Sequence, residues 1–129
     1  MAKTCYIFPG QGSQYVGMGK DLYGSSLEAK NIFDQAERIL PGLNLKKLCF
    51  EGPIEGLTQT AVSQVAILVT SIAALKALGS RLDPVCCAGL SLGEYSALVA
   101  CGSLEFLDAV KLVRRRGEIM EQADRKSVV

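Results

Sequence analysis

At 129 residues, 49% of them apolar and 21% charged, the chain amounts to one domain with enough hydrophobic surface to build a core, which excludes disorder. A net charge of +1 gives no global field for nucleic acid or an anionic membrane, and four Tyr, four Phe and no Trp leave no basic–aromatic surface for stacking bases. Without a histidine, and with no Cys-x-x-Cys among Cys5, Cys49, Cys86, Cys87 and Cys101, the chain is not expected to hold a metal.

Met1-Ala2-Lys3-Thr4 lacks the charged-then-apolar build of a secretory signal. The cytoplasm is the expected compartment, with the cysteines reduced and serving as small hydrophobes. Cys5-Tyr6-Ile7-Phe8 reads as a parallel strand buried on both faces and closed by Pro9-Gly10. The loop Pro9-Gly10-Gln11-Gly12-Ser13-Gln14 is glycine-rich but lacks the ending of a P-loop and the spacing of a dinucleotide turn. Ser25-x-x-Glu28 has the form of a capping box, and Leu27, Ile32, Phe33, Ala36, Ile39 and Leu40 follow at helical spacing. Pro41-Gly42 stops that helix. A short helix is expected from Leu45 to Phe50, capped by Asn44, then a turn or single helical turn at Gly52-Pro53-Ile54-Glu55-Gly56. From Thr60 to Leu78 the chain is apolar on nearly every side, approaching the ~20 residues of a membrane span. Ser63, Gln64, Thr70, Ser71 and Lys76 interrupt it, so it reads as a buried core helix ended by Gly79. Pro84 opens a second strand, Val85 to Ala88, on which Cys86 and Cys87 face opposite sides. Helices from Leu92 to Cys101 and from Leu104 to Gln122, the latter capped by Ser103, follow. Two parallel strands are too few for an independently stable sheet. Either further strands escape the pattern or the chain is part of a larger one.

Between the second strand and its helix, Gly89-Leu90-Ser91-Leu92-Gly93 has the Gly-x-Ser-x-Gly form of a nucleophile elbow. Ser91 is the candidate nucleophile, and a serine hydroxyl needs an adjacent base. The Leu92 N–H is the usual first oxyanion donor of such elbows, and the helix N-terminus adds partial positive charge. In the last helix, ~100° per residue from Val113 puts Phe106, Ala109, Val110, Gly117 and Met120 within about 60° of it. Arg116 falls at about −60°, inside that apolar arc. A guanidinium aimed inward wants a carboxylate or phosphate in a two-pronged pair. The alternatives are an arginine snorkelling from the edge of the stripe, or one paired with a buried Glu or Asp. Arg114 and Arg115, with Lys111, are expected to form a solvated face.

Three stretches resemble the motifs of malonyl-CoA:acyl-carrier-protein transacylases, a family that includes the acyltransferase domains of fatty-acid and polyketide synthases. They are Pro9–Gln14 continuing to Gly17-Met18-Gly19, Gly89 through Ala97, and Arg116-Gly117 followed by Met120. The likeness covers residues 3 to 123. It implies an α/β fold, part of an α/β-hydrolase-like three-layer domain with a short parallel sheet. Residues 1–129 would be the N-terminal part of an acyltransferase domain, without the family's small ferredoxin-like subdomain. By the same resemblance Ser91 takes a malonyl group from coenzyme A as an ester and passes it to the phosphopantetheine thiol of acyl carrier protein. The Leu92 amide and the backbone at Gln11 form the oxyanion hole, and Arg116 binds the free carboxylate. Malonyl-CoA and acyl carrier protein are the implied partners, with coenzyme A entering as the substrate thioester, no permanently bound cofactor, and no nucleic acid or membrane. A start at Met1 with a strand at once favours a stand-alone enzyme.

Two departures bear on activity. Leu90 stands where the family usually has a histidine that is not the general base. The family's catalytic histidine lies downstream of the arginine motif, and this chain contains none. The tail Asp124-Arg125-Lys126-Ser127-Val128-Val129 also departs from the family. The chain is therefore expected to lack its general base and to turn over poorly alone. Rival readings are a serine esterase of α/β-hydrolase type and a non-catalytic, truncated fragment that binds carrier protein.

Overall fold

The computed structural model describes residues 2–127, so Met1 and the Val128-Val129 end of the divergent tail lie outside the described residues. Within them run strand β1 (Thr4–Phe8) and helices α1 (Lys20–Ser25), α2 (Leu27–Ile39), α3 (Leu45–Glu51), α4 (Ile54–Thr58) and α5 (Thr60–Leu78). Strand β2 (Pro84–Gly89) and helices α6 (Gly93–Ala100) and α7 (Phe106–Ser127) complete the order. The strands pair in parallel, from Cys5 opposite Cys86 to Phe8 opposite Gly89, with a register irregularity between Thr4 and Cys5. Parallel neighbours need a long crossover, which α1 to α5 supply. The outcome is an α/β fold with a short two-stranded sheet.

Helix α5 is the axis of the core. Val65, Leu68, Val69 and Ile72 are fully enclosed, with α2 and α7 packed alongside. The helix is long and apolar enough to cross a bilayer, but its apolar residues run all round because neighbouring helices cover it on several sides. Each enclosed side chain contributes ~1.5–3 kcal/mol. The buried-core reading of Thr60–Leu78 therefore holds. Against it α2 sets Ala29, Ile32, Phe33 and Ala36, and Phe33 meets Phe50 and Tyr23 with ring centroids 5.2 and 6.1 Å apart.

Three caps differ from expectation. The last helix starts at Phe106 rather than Leu104 and runs to Ser127 rather than Gln122, so Ser103 lies three residues before it and does not cap it; the Ala109 N–H instead donates to the Glu105 carbonyl at 2.9 Å. Ser26, not Ser25, caps α2: its Oγ accepts from the Ala29 N–H at 3.2 Å and donates to Glu28 Oε2 at 3.1 Å. Ser25 ends α1, donating to the Asp21 carbonyl at 2.7 Å. Consecutive serines left the cap register ambiguous, and Leu27, the first helical residue, is exposed rather than part of the core stripe. Asn44 precedes α3 in the left-handed region and makes no side-chain cap bond.

The start of α5 is capped from a distance. Glu121 on α7 accepts from the Ala61 N–H at 2.9 Å, and Arg114 Nη1 donates to the Ala61 carbonyl at 3.1 Å. Gly117 permits this approach, because a Cβ there would lie 2.6 Å from the Ala61 Cα. Arg114 is thus half-buried and also pairs with Glu118 at 3.0 Å, so it leaves the solvated face on which the helical wheel set it. Arg115 stays on that face. Removing a carboxylate from a helix N-terminus costs about 1–2 kcal/mol. Glu121→Ala should lower stability by that amount in urea denaturation, with Glu121→Gln recovering part.

The strands are not buried on both faces. Ile7 is 78% and Val85 64% exposed, while Phe8 is enclosed. Helix α6 lies against both strands, and the later turns of α5 border β1 across an apolar groove. Among the described residues nothing covers the opposite face. Cys5 and Cys86 are consequently exposed rather than core hydrophobes, Cys101 is exposed at the end of α6, Cys87 is half-buried, Cys49 is enclosed, and all five are free thiols.

Candidate active site

The β2–α6 connection turns sharply at Ser91, which takes φ 51°. A non-glycine residue in that left-handed region stores about 1–3 kcal/mol of strain. Hydrogen bonds hold it there. Leu90 N–H donates to the Phe8 carbonyl (3.3 Å), Gly93 N–H to the Leu90 carbonyl (2.9 Å) and Glu94 N–H to the Ser91 carbonyl (3.1 Å). Two glycines let strand and helix meet: a Cβ on Gly89 would strike the Gly93 backbone, and one on Gly93 the Phe8 carbonyl. The Leu92 side chain is fully enclosed beneath the turn, while Ser91 remains exposed.

The glycine-rich loop runs beside this elbow. A Cβ on Gly10 would lie 2.6 Å from the Leu90 carbonyl oxygen. The Gly10 carbonyl accepts from both the N–H and the Oγ of Ser13, at 3.4 and 2.8 Å. Gln11 is tied to the start of α5, its Nε2 donating to Thr60 Oγ1 at 3.2 Å. Among the described residues neither the Leu92 N–H nor the Gln11 N–H has an acceptor. Both remain free to meet a developing oxyanion.

Arg116 points inward, as its position on the wheel requires. Its Nη2 donates to Ser91 Oγ at 3.2 Å and its Nη1 to Gln64 Oε1 at 2.5 Å. The guanidinium carbon stands 5.4 Å over the Tyr95 ring. Among the described residues no carboxylate pairs with it, so pairing with a buried Glu or Asp is ruled out there. Gln64 is fully enclosed and donates to Met120 Sδ at 3.2 Å. Ser91, Leu92 and Arg116 thus form one cluster, with the Gln11 loop set against it through Gly10.

Sequence reasoning passed over Gln64, Tyr95 and Thr60 as parts of this site. Gln64 carried a signal, since an amide in a helix that is apolar all round must find a buried partner. Gln64→Glu would place a carboxylate on the guanidinium in competition with any substrate carboxylate. Its expected effect is a roughly 10-fold or larger loss of affinity for a carboxylate anion at Arg116, read by titration.

A family profile described as an acyl transferase domain matches residues 5–127. Over 124 residues the chain is 53% identical to the malonyl CoA-acyl carrier protein transacylase of Bacillus subtilis strain 168, covering 95% of this chain and 39% of that protein. The crystal structure of the malonyl CoA-acyl carrier protein transacylase from Clostridium perfringens superposes with a TM-score of 0.88 at 43% identity, covering 95% of this chain and 39% of its own. A malonyl-transacylase solved in complex with a type II polyketide synthase acyl-carrier protein gives the same TM-score at 39% identity, over 95% of this chain and 40% of that one. The chain thus spans 39–40% of the length of these relatives. With the elbow, the glycine-rich loop and the inward arginine all inside the matched residues, the chain belongs to the acyl transferase domain family.

Proposed function

We propose that this chain carries the nucleophile, oxyanion donors and carboxylate clamp of a malonyl-CoA:acyl carrier protein transacylase serving fatty-acid or polyketide biosynthesis. The observation that carries the reading is the 3.2 Å contact between Arg116 Nη2 and Ser91 Oγ. A malonyl ester on Ser91 has its free carboxylate one methylene beyond the ester carbonyl, within reach of a guanidinium so placed. An acetyl ester offers it nothing. Gln64 and Tyr95 hold the guanidinium before substrate arrives, so little of its freedom is left to lose on binding.

Ser91 Oγ attacks the thioester carbonyl of malonyl-CoA. The Leu92 and Gln11 N–H groups receive the oxyanion, each such donor supplying ~3 kcal/mol of transition-state stabilisation. Coenzyme A leaves as its thiol, and the phosphopantetheine thiol of acyl carrier protein then attacks the ester and frees Ser91. The serine proton needs an acceptor. Arg116 only donates, and the sequence contains no histidine. The base is therefore assigned to polypeptide outside these 129 residues, and turnover by this chain alone is slow. Oxyanion donors and substrate binding leave a residual rate. The cytoplasm, where free thiols persist, is the compartment that goes with this reading.

Incubation with labelled malonyl-CoA and the phosphopantetheinylated carrier protein tests it, with and without imidazole as an external base. Slow transfer that imidazole accelerates is expected. Full-rate transfer without imidazole would overturn the assignment of the base. Hydrolysis of neutral esters untouched by Arg116→Ala would identify an esterase instead.

A further inference from the structure

The Gln11 amide owes its direction to the turn that carries it. Gly10, Gln11, Gly12 and Ser13 form a β-turn in which the Ser13 N–H donates to the Gly10 carbonyl at 3.4 Å. Gly12 takes φ 106°, as the third position of a type II turn demands. The Ser13 side chain adds the shorter bond to the same carbonyl, its Oγ donating at 2.8 Å. That carbonyl and the Gln11 N–H belong to one planar trans peptide unit, so they point in opposite directions. Drawing the carbonyl into the turn therefore sends the Gln11 N–H out of it, where among the described residues it meets no acceptor. The turn abuts the elbow at the Leu90 carbonyl, 2.6 Å from where a Gly10 Cβ would lie. Two further bonds tie the loop, from the Gly12 N–H to Gln14 Oε1 at 2.9 Å and from Gln11 Nε2 to Thr60 Oγ1 at 3.2 Å. Neither touches the peptide unit that holds the donor.

We propose that Ser13 is a positioning residue, its hydroxyl setting the Gly10–Gln11 peptide plane so that the Gln11 N–H faces the oxyanion formed at Ser91, a role that rests on the transacylase function proposed for this site. The two oxyanion donors are held differently. Leu92 is anchored by a fully enclosed side chain. Gln11 is exposed and lies between two glycines, which leave its peptide plane free to rotate unless the carbonyl is held. With only the long Ser13 N–H bond left, the plane swings, and part of the time the carbonyl oxygen rather than the N–H confronts the developing negative charge. Oxyanion stabilisation needs a donor within about 3 Å of the charge, fixed before it forms. Among the described residues Ser13 makes no hydrogen bond to Arg116, whose partners are Ser91 and Gln64. Its influence therefore falls on the carbonyl chemistry common to all acyl thioesters and not on the choice of acyl group.

The test is single-turnover acylation of Ser91 with imidazole as base, followed by mass spectrometry over a range of malonyl-CoA and, separately, acetyl-CoA concentrations. In Ser13→Ala the limiting rate constant should fall about 10-fold for both thioesters, a part of what deleting a donor outright costs. The half-saturating concentration should stay within about twofold, because ground-state binding is untouched. Final ester occupancy, which counts folded sites, should match the wild type. Ser13→Thr keeps the hydroxyl and should recover most of the rate. A wild-type rate in Ser13→Ala, a loss confined to malonyl-CoA, reduced occupancy at an unchanged rate, or no recovery in Ser13→Thr would each overturn the role of Ser13 while leaving the transacylase function standing. Absence of any ester on Ser91 in the wild type would overturn both.

Discussion

Alanine at Ser91 is expected to abolish malonyl transfer and to remove every trace of acyl ester from the elbow, with the fold intact. On the proposed reading the hydroxyl forms the ester, and its hydrogen-bond partner Arg116 is a donor that cannot take its place. Stability gives an independent reading of the same residue. Ser91 sits at φ 51°, and alanine inherits that backbone strain, so Ser91→Ala should stay within about 0.5 kcal/mol of the wild type. Glycine tolerates the left-handed region freely. Ser91→Gly should therefore gain about 1 kcal/mol in urea denaturation while losing all transfer. A stability gain coupled to loss of chemistry marks a nucleophile held in strain, whereas a serine with a structural role would lose on both counts.

Arg116→Ala carries the second large effect. Hydrogen bonds to a charged partner contribute about 1.5–3 kcal/mol each, and a guanidinium offers two in parallel. Loss of about 3 kcal/mol lowers kcat/KM for malonyl-CoA roughly 10²-fold. Acetyl-CoA has no carboxylate to lose, so its kcat/KM should hold and the malonyl-to-acetyl ratio should fall by the same factor. Arg116→Lys should recover only part of the loss, because a point charge cannot pair in two prongs. Equal losses for both thioesters, measured with imidazole present, would mean that Arg116 acts on the serine rather than on the acyl group.

The helical half of the fold was open to sequence reasoning because its signals are local. The bounds of α5 follow from an apolar run closed by Gly79, and the inward turn of Arg116 from angular position alone. The elbow was equally legible, since glycine, serine and glycine at fixed spacing reflect contacts between adjacent segments. Long-range features were not. Helix α1 is too short, at six residues, to show a period. The reach of Glu121 and Arg114 to Ala61 depends on how closely Gly117 brings α7 to α5. The exposure of Ile7 and Val85 misled for a related reason. An apolar run records the burial a strand is suited to, and among the described residues only one face of this sheet has a partner layer. Gln64 lay between these cases, visible as an interruption but silent about its partner.

The most direct test is a competition for Ser91. The chain is mixed with equimolar malonyl-CoA and acetyl-CoA, imidazole serving as base, and the elbow peptide is analysed by mass spectrometry. A malonyl ester on Ser91 should dominate in the wild type and give way to the acetyl ester in Arg116→Ala. Equal malonyl and acetyl occupancy in the wild type, or acylation at a residue other than Ser91, would contradict a serine tuned by Arg116 for an acyl thioester with a free carboxylate.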